Sequence, residues 1–231
     1  MKTGVLGYGV IGKATEQIIK KPFDVRVDLS GYDNFNLLLS CDIIFVCLPT
    51  SSQKDITNLC EYVQRLSILP TLEIVIRSTV TPGTCERLAS INNNNCIVYW
   101  PEFLREKHWQ TDIHYTTNYA SHSEKLHNLV YIDKQFSYQE LEIIKLMSNV
   151  WSCVQITFAN QMNDLCDMHG VDMKNIMNDM LNTRLTSYTE GGRPFEGKCL
   201  PKDLDFIIEE YKRLNISESL FTATKKDNEN F

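Results

Sequence analysis

The sequence predicts an α/β protein: a parallel sheet flanked by helices in the N-terminal half, followed by a helical C-terminal part. Three observations predict this. Short apolar runs rich in β-branched residues alternate with helical patterns through the first hundred residues, the order in which βα units feed a parallel sheet. The first run leads directly into a glycine-rich turn, Gly7-Tyr8-Gly9-Val10-Ile11-Gly12, that opens a helical pattern. From Tyr138, one helical stretch continues past Asn160 to about His169, and the remainder of the chain reads as helix and loop.

Strands are expected at about 2–6, 24–28, 42–48, 73–77 and 96–100, with helices over 10–20, 53–66 and 84–90. The Asn92–Asn95 run is a polar turn. After Pro101 the pattern loses regularity until the long helix over about 138–169. There Leu141, Ile144, Met147, Trp151, Val154 and Phe158 recur every three to four residues, which predicts one buried stripe. Gly170 suits the C-cap of that helix, residues 172–181 offer another helix, 189–197 form a Gly/Pro-containing loop, and the polar tail from Lys225 is expected to fray. The division expected is a dinucleotide-binding type of domain over 1–120 and a helical domain over 121–231, the latter carrying the long helix and a cysteine loop at 189–203.

Composition narrows the function classes. Of 231 residues, 43% are hydrophobic and 23% charged, a globular balance that excludes wholesale disorder. The net charge is −6 and the 23 Lys and Arg form no basic block, which argues against nucleic acid as a partner. Apolar runs such as Ile43 to Leu48 fall far short of the ~20 residues that cross a bilayer. Glycines and Lys13 interrupt the N-terminal apolar stretch where a signal peptide would continue. The eight cysteines contain no C-x-x-C pair, which fits free thiols in a reducing cytoplasm, and the five histidines lack zinc-ligand spacing, so no metal is indicated.

Three segments carry chemistry. Glycines at 7, 9 and 12 permit a tight turn and a close approach of backbone to a pyrophosphate, whose charge then meets helix N-terminal amides. Asp28 ends the second strand sixteen residues after Gly12, where a carboxylate can accept from ribose hydroxyls and repel a 2′-phosphate. This favours NAD over NADP in a Rossmann-type domain, against the alternative of a glycine turn without a ligand. Lys145 and Asn149 lie four apart on one helix face and could stabilise an alkoxide, although a solvated pair is the commoner case. Cys199 stands beside Lys198 and Lys202 and near Asp203, a setting for a nucleophilic thiol or for a plain buried one.

Taken together, these segments resemble the UDP-glucose/GDP-mannose dehydrogenase family of nucleotide-sugar 6-dehydrogenases. The matching motifs occur in family order: Gly7–Gly12, Val46-Cys47-Leu48-Pro49-Thr50, Ser78-Thr79-Val80-Thr81-Pro82-Gly83-Thr84, Pro101-Glu102-Phe103-Leu104-Arg105-Glu106, Lys145-x-x-x-Asn149 and Cys199-Leu200-Pro201-Lys202-Asp203. The resemblance implies oxidation of a sugar C6 alcohol to the carboxylate with two NAD, Cys199 holding first a thiohemiacetal and then a thioester. It implies Lys145 and Asn149 at the oxyanion, Glu102 as general acid/base, and Asp203 with Thr79 at the hydrolytic water. Gly7, Tyr8, Gly9, Val10, Ile11, Gly12, Asp28, Pro49, Thr50, Ser78, Thr79, Glu106 and Lys202 would line the cofactor. Glu102, Phe103, Leu104, Lys145, Asn149, Gly197 and Arg184 would meet the nucleotide-sugar substrate, Arg184 across a homodimer interface built on the long helix.

The sequence departs from the family in three places. The stretch between Asp28 and Cys41 is short, Glu196-Gly197 replaces a Gly-Gly pair, and the sequence ends at Phe231 where family members continue into a nucleotide-gripping domain. Weak selectivity for the base is therefore expected. Two other readings compete with the leading one: a two-electron dehydrogenase of the β-hydroxyacid type, which has no use for Cys199, and a catalytically idle NAD-binding or dimerising module.

Overall fold

The computed structural model describes residues 1–28, 32–68, 71–91, 96–176, 194–215 and 217–230. Five strands, β1 (Thr3–Leu6), β2 (Val25–Val27), β3 (Ile43–Val46), β4 (Glu73–Ile76) and β5 (Cys96–Tyr99), form one parallel sheet in the order β2-β1-β3-β4-β5. Helices α1 (Val10–Ile18), α2 (Gln53–Leu66) and α3 (Thr84–Ile91) supply crossovers. Every residue of β1, β3 and β4 is buried, as a parallel sheet covered on both faces requires. That is why these strands read as unbroken apolar runs and do not alternate.

Between β2 and β3 the chain forms a 3-10 helix, Tyr32–Ser40, and returns past β1 to the other side of the sheet. The strand order reverses between β1 and β3, and in open α/β sheets a ligand crevice opens at the carboxyl ends of the strands flanking that point. This 3-10 helix is the described part of the short connection to β3, and β2 forms one edge of the sheet. Residues that come after β1 and β3, Gly7 onward and Cys47 to Thr50, stand at the crevice.

The irregular region after Pro101 folds into α4 (Trp109–Asp112), β6 (Tyr119–Ala120), α5 (Glu124–His127) and β7 (Lys134–Gln135). Its apolar residues Ala120, Leu126, Val130 and Ile132 join Val5, Phe45, Val98 and Trp100 in one core. Such short elements offer no period to read, yet they bury side chains against the sheet. As a result, the first compact unit runs from Met1 to Lys145 and the second from Leu146 to Phe231, a division some 25 residues later than the expected one near 120.

The second unit contains most of α6 (Tyr138–Met168), α7 (Leu200–Arg213) and α8 (Ser219–Asn228). Gly170, at φ +65°, ends α6: its N–H donates to the Asp167 carbonyl and the Val171 N–H to that of Cys166, a Schellman closure. In α7, Pro201 and Asp203 occupy the first turn, and Lys212 and Arg213 the last, so start and stop signals and helix dipole agree. Val150 and Cys153 of α6 pack with Phe195, Leu204 and Ile208.

Two expectations are corrected here. The stripe on α6 that was expected to be buried is largely open: Met147, Trp151 and Phe158 are 60%, 55% and 47% exposed. The buried face instead carries Leu146, Val150, Cys153, Thr157 and Asn160 at spacings of four and three, because α6 has two faces of the same period and only one meets its own chain. The polar tail is also ordered. Helix α8 continues to Asn228, whose side chain accepts from the Phe195 N–H at 2.6 Å and donates to the Phe195 carbonyl at 3.1 Å, while Lys225 pairs with Asp205 at 2.6 Å.

Candidate active site

The glycine turn is built by close approach. Gly7 has φ +93°, and a Cβ there would lie 2.5 Å from the Cys47 carbonyl oxygen. At Gly12 a Cβ would sit 2.4 Å from the Gly7 oxygen, so α1 can seat against β1 only without a side chain. The Gly7 N–H donates to the Val27 carbonyl and the Cys47 N–H to that of Leu6, both at 2.8 Å. Gly9 caps α1 with no side chain and nothing would lie within 4 Å of a Cβ there. Space is thus open beside Gly9 at the N-terminus of α1, where a pyrophosphate would be received.

Neighbouring groups complete a cradle. Tyr8 donates to Glu16, which also pairs with Arg26 and accepts from the Phe23 N–H at 2.7 Å. Asp28 comes directly after β2 and is exposed. Beside the buried Thr50, a cavity of about 330 Å³ is lined by Leu48, Pro49, Asp55, Asn58, Tyr62 and Arg65. The turn itself, where a Cβ at Gly7 or Gly12 would strike backbone, is of the kind that lets a pyrophosphate approach closely.

A second cluster of the same unit lies beyond β4 and β5. Glu102 and Lys145 are 8% and 2% exposed, and the Lys145 ammonium lies 3.3 Å from Glu102 Oε1 and 5.4 Å from the Phe103 ring centre. The other carboxylate oxygen of Glu102 accepts from the Leu104 N–H at 2.7 Å. Ser78 donates to the Leu48 carbonyl at 2.7 Å, and Thr79 is buried beside it in sequence. Leu104 is buried, Phe103 half-buried and Glu106 exposed. The motifs around 46–50, 78–84, 101–106 and Lys145 thus belong to one unit.

In the second unit Asp203 is fully buried. It accepts from the Asn149 amide, lies 3.2 Å from the Lys202 ammonium, and donates its N–H to the Cys199 carbonyl at 2.9 Å. Cys199 is an exposed cysteine at the boundary of α7, preceded by Gly197 at φ +91°. Cys153 and Cys47 are poor nucleophiles, since burial pushes both thiols up to about 12. Arg184 and residues 189–193 of the expected cysteine loop lie outside the described residues.

Two residues were not singled out from sequence. Glu142, fully buried one turn before Lys145, accepts from the N–H groups of Gly83 and Cys85 at 2.7 and 2.8 Å. It fastens the start of α3 to α6, and burial raises its carboxyl above the usual range. Arg77 is 1% exposed directly before Ser78. The available signal was position: each charge sits inside or beside an apolar run that continues into a motif. Among the described residues there is no group of three His, Cys, Asp or Glu that could hold a metal, and no helix is long and apolar enough to cross a membrane.

Comparison with known proteins adds the chemical context. Residues 139–230 match the UDP-glucose/GDP-mannose dehydrogenase family, central domain. The UDP-glucose 6-dehydrogenase of Rickettsia bellii is 26% identical over 83% of this chain and 50% of its own length. The chain spans about half the length of the curated relatives it matches. In fold it resembles the UDP-D-ManNAc dehydrogenase of Pyrococcus horikoshii, with a TM-score of 0.84 and 19% identity over 99% of this chain and 68% of that one. It also resembles the 3-hydroxyisobutyrate dehydrogenase of Mycobacterium tuberculosis, at TM-score 0.76 and 12% identity over 100% of this chain and 93% of that one.

Proposed function

For a chain that resembles the UDP-glucose/GDP-mannose dehydrogenase family over most of its length and carries that family's central domain at residues 139–230, we propose NAD-dependent oxidation of a nucleotide-sugar C6 alcohol to the carboxylate. The observation that carries this reading is Cys199. An exposed thiol at the start of α7, one turn from a buried Asp203 held by Asn149, has the placement of a nucleophile and would have no task in a two-electron dehydrogenase. Bound NAD supplies a hydride acceptor, needed twice.

The chain's own residues do the rest. The glycine turn and the leading amides of α1 hold the pyrophosphate, and Asp28 accepts from the adenosine ribose. Pro49, Thr50, Ser78, Glu106 and Lys202 complete the cofactor contacts. Lys145, its charge buried and balanced by Glu102, stabilises the developing alkoxide. Glu102 is the general acid/base. Cys199 adds to the aldehyde carbon, and Asp203 and Thr79 serve the water that later cleaves the thioester. Phe103, Leu104, Asn149 and Gly197 border the sugar.

NAD should bind at least ~10-fold more tightly than NADP, because a carboxylate at Asp28 opposes a 2′-phosphate. Calorimetry on Asp28→Ala should narrow that ratio, and equal affinity in the unmodified protein would remove the assignment. The open apolar stripe of Met147, Trp151 and Phe158 supports a homodimer formed by α6 and its copy. Sedimentation velocity should show a dimer that Trp151→Glu weakens, whereas a monomer at micromolar concentration contradicts it. Eight cysteines without a C-x-x-C pair fit a reducing cytoplasm.

A further inference from the structure

We propose that Arg77 is a positioning residue that sets the Glu102–Lys145 pair through the backbone of Trp100 and Pro101. The assignment rests on the dehydrogenase reading of that pair. Arg77 comes directly after β4 and is 1% exposed. Its Nη1 donates to the Trp100 carbonyl at 2.8 Å and reaches the Pro101 carbonyl at 3.4 Å; its Nε donates to Thr15 Oγ1 at 3.2 Å. The guanidinium lies 3.7 Å over the Trp100 ring centre.

The residues so gripped are telling. Trp100 and Pro101 immediately precede Glu102, whose carboxylate meets Lys145. Thr15 belongs to α1, donates to the Ile11 carbonyl at 2.7 Å and lies 3.9 Å from Cys47 Sγ. One side chain therefore links the helix behind the glycine turn to the segment that carries Glu102.

Among the described residues no carboxylate is in ion-pair contact with Arg77, and the Glu102 charge acts on it from further off. A buried cation without an ion pair is costly, and burial pulls this guanidinium down to about 10, still protonated at neutral pH. Two backbone carbonyls and the Thr15 hydroxyl are its acceptors, and the rigid fork presents Nε and Nη1 at separate points, which the compact ammonium of a lysine does not. Lysine has a single head and methionine no donor, so the clamp should weaken stepwise from Arg to Lys to Met.

The test measures the pair directly. The wild type, Arg77→Lys, Arg77→Met and Glu102→Gln are labelled with acetic anhydride, and acetylation is followed at Lys145 and at the exposed Lys54 and Lys107 by mass spectrometry. Lys145 should react about 3-fold faster in Arg77→Lys and about 10-fold faster in Arg77→Met, with Lys54 and Lys107 unchanged. Adding Arg77→Lys to Glu102→Gln should give no further increase. In parallel, kcat with UDP-glucose should fall about 10-fold or more in Arg77→Lys while KM for NAD stays within about 3-fold.

Wild-type labelling and turnover in Arg77→Lys would overturn the proposal even if Arg77→Met does not fold. An equal rise at all three lysines would also overturn it, since Arg77 would then act on stability alone. If the unmodified protein oxidises no nucleotide sugar, the dehydrogenase reading falls, while the labelling series still decides whether Arg77 holds Glu102 against Lys145.

Discussion

In a Cys199→Ala protein, formation of the sugar carboxylate is expected to drop by at least ~10³-fold, with NAD affinity unchanged within about 2-fold. The reason lies in the other thiols as much as in Cys199 itself. Burial pushes Cys47 and Cys153 up to about 12, so neither offers a thiolate near neutral pH, whereas Cys199 is exposed at the start of α7. Because the side chain is exposed, its removal should shift stability by no more than ~0.5 kcal/mol. Cys199→Ser should retain some aldehyde formation and lose the second oxidation, since a hydroxyl is the poorer nucleophile. Carboxylate formation by Cys199→Ala at the wild-type rate would remove the thioester mechanism.

Lys145→Met should affect both catalysis and stability. If Lys145 stabilises the developing alkoxide as proposed, loss of this cation should lower turnover by ~10²–10³-fold. It also leaves the 8% exposed Glu102 charge without its partner at 3.3 Å, and breaking a buried pair costs about 3–5 kcal/mol. The double variant Lys145→Met/Glu102→Gln should recover most of the stability and none of the turnover. Urea denaturation and initial rates measured on the same preparations separate the two effects. Recovery of turnover in the double variant, or no loss of stability in the single one, would argue against a buried catalytic pair.

Legibility in the sequence depended on the physics of each signal. The strands were legible because a sheet buried on both faces demands unbroken apolar runs, such as Ile43–Val46. Gly7 and Gly12 were legible because backbone contacts of 2.5 and 2.4 Å exclude any Cβ. The paired motifs were legible only as a set: nothing in the local spacing brings Glu102 to Lys145 or Asn149 to Asp203. The two faces of α6 were not distinguishable, since both repeat every three to four residues and only tertiary packing chooses between them. Arg77 and Glu142 were missed for a related reason. Burial of a charge is decided by donors and carbonyls far along the chain, here Trp100 for the one and Gly83 for the other.

Product stoichiometry tests the central claim most directly. The unmodified protein would be incubated with limiting UDP-glucose or GDP-mannose and excess NAD, NADH followed by absorbance and the product identified by mass spectrometry. Two NADH per sugar consumed, with a uronate as the product, is the predicted result. One NADH per alcohol with an aldehyde or ketone as the end product, or no NADH with any nucleotide sugar of a UDP and GDP panel, would contradict it.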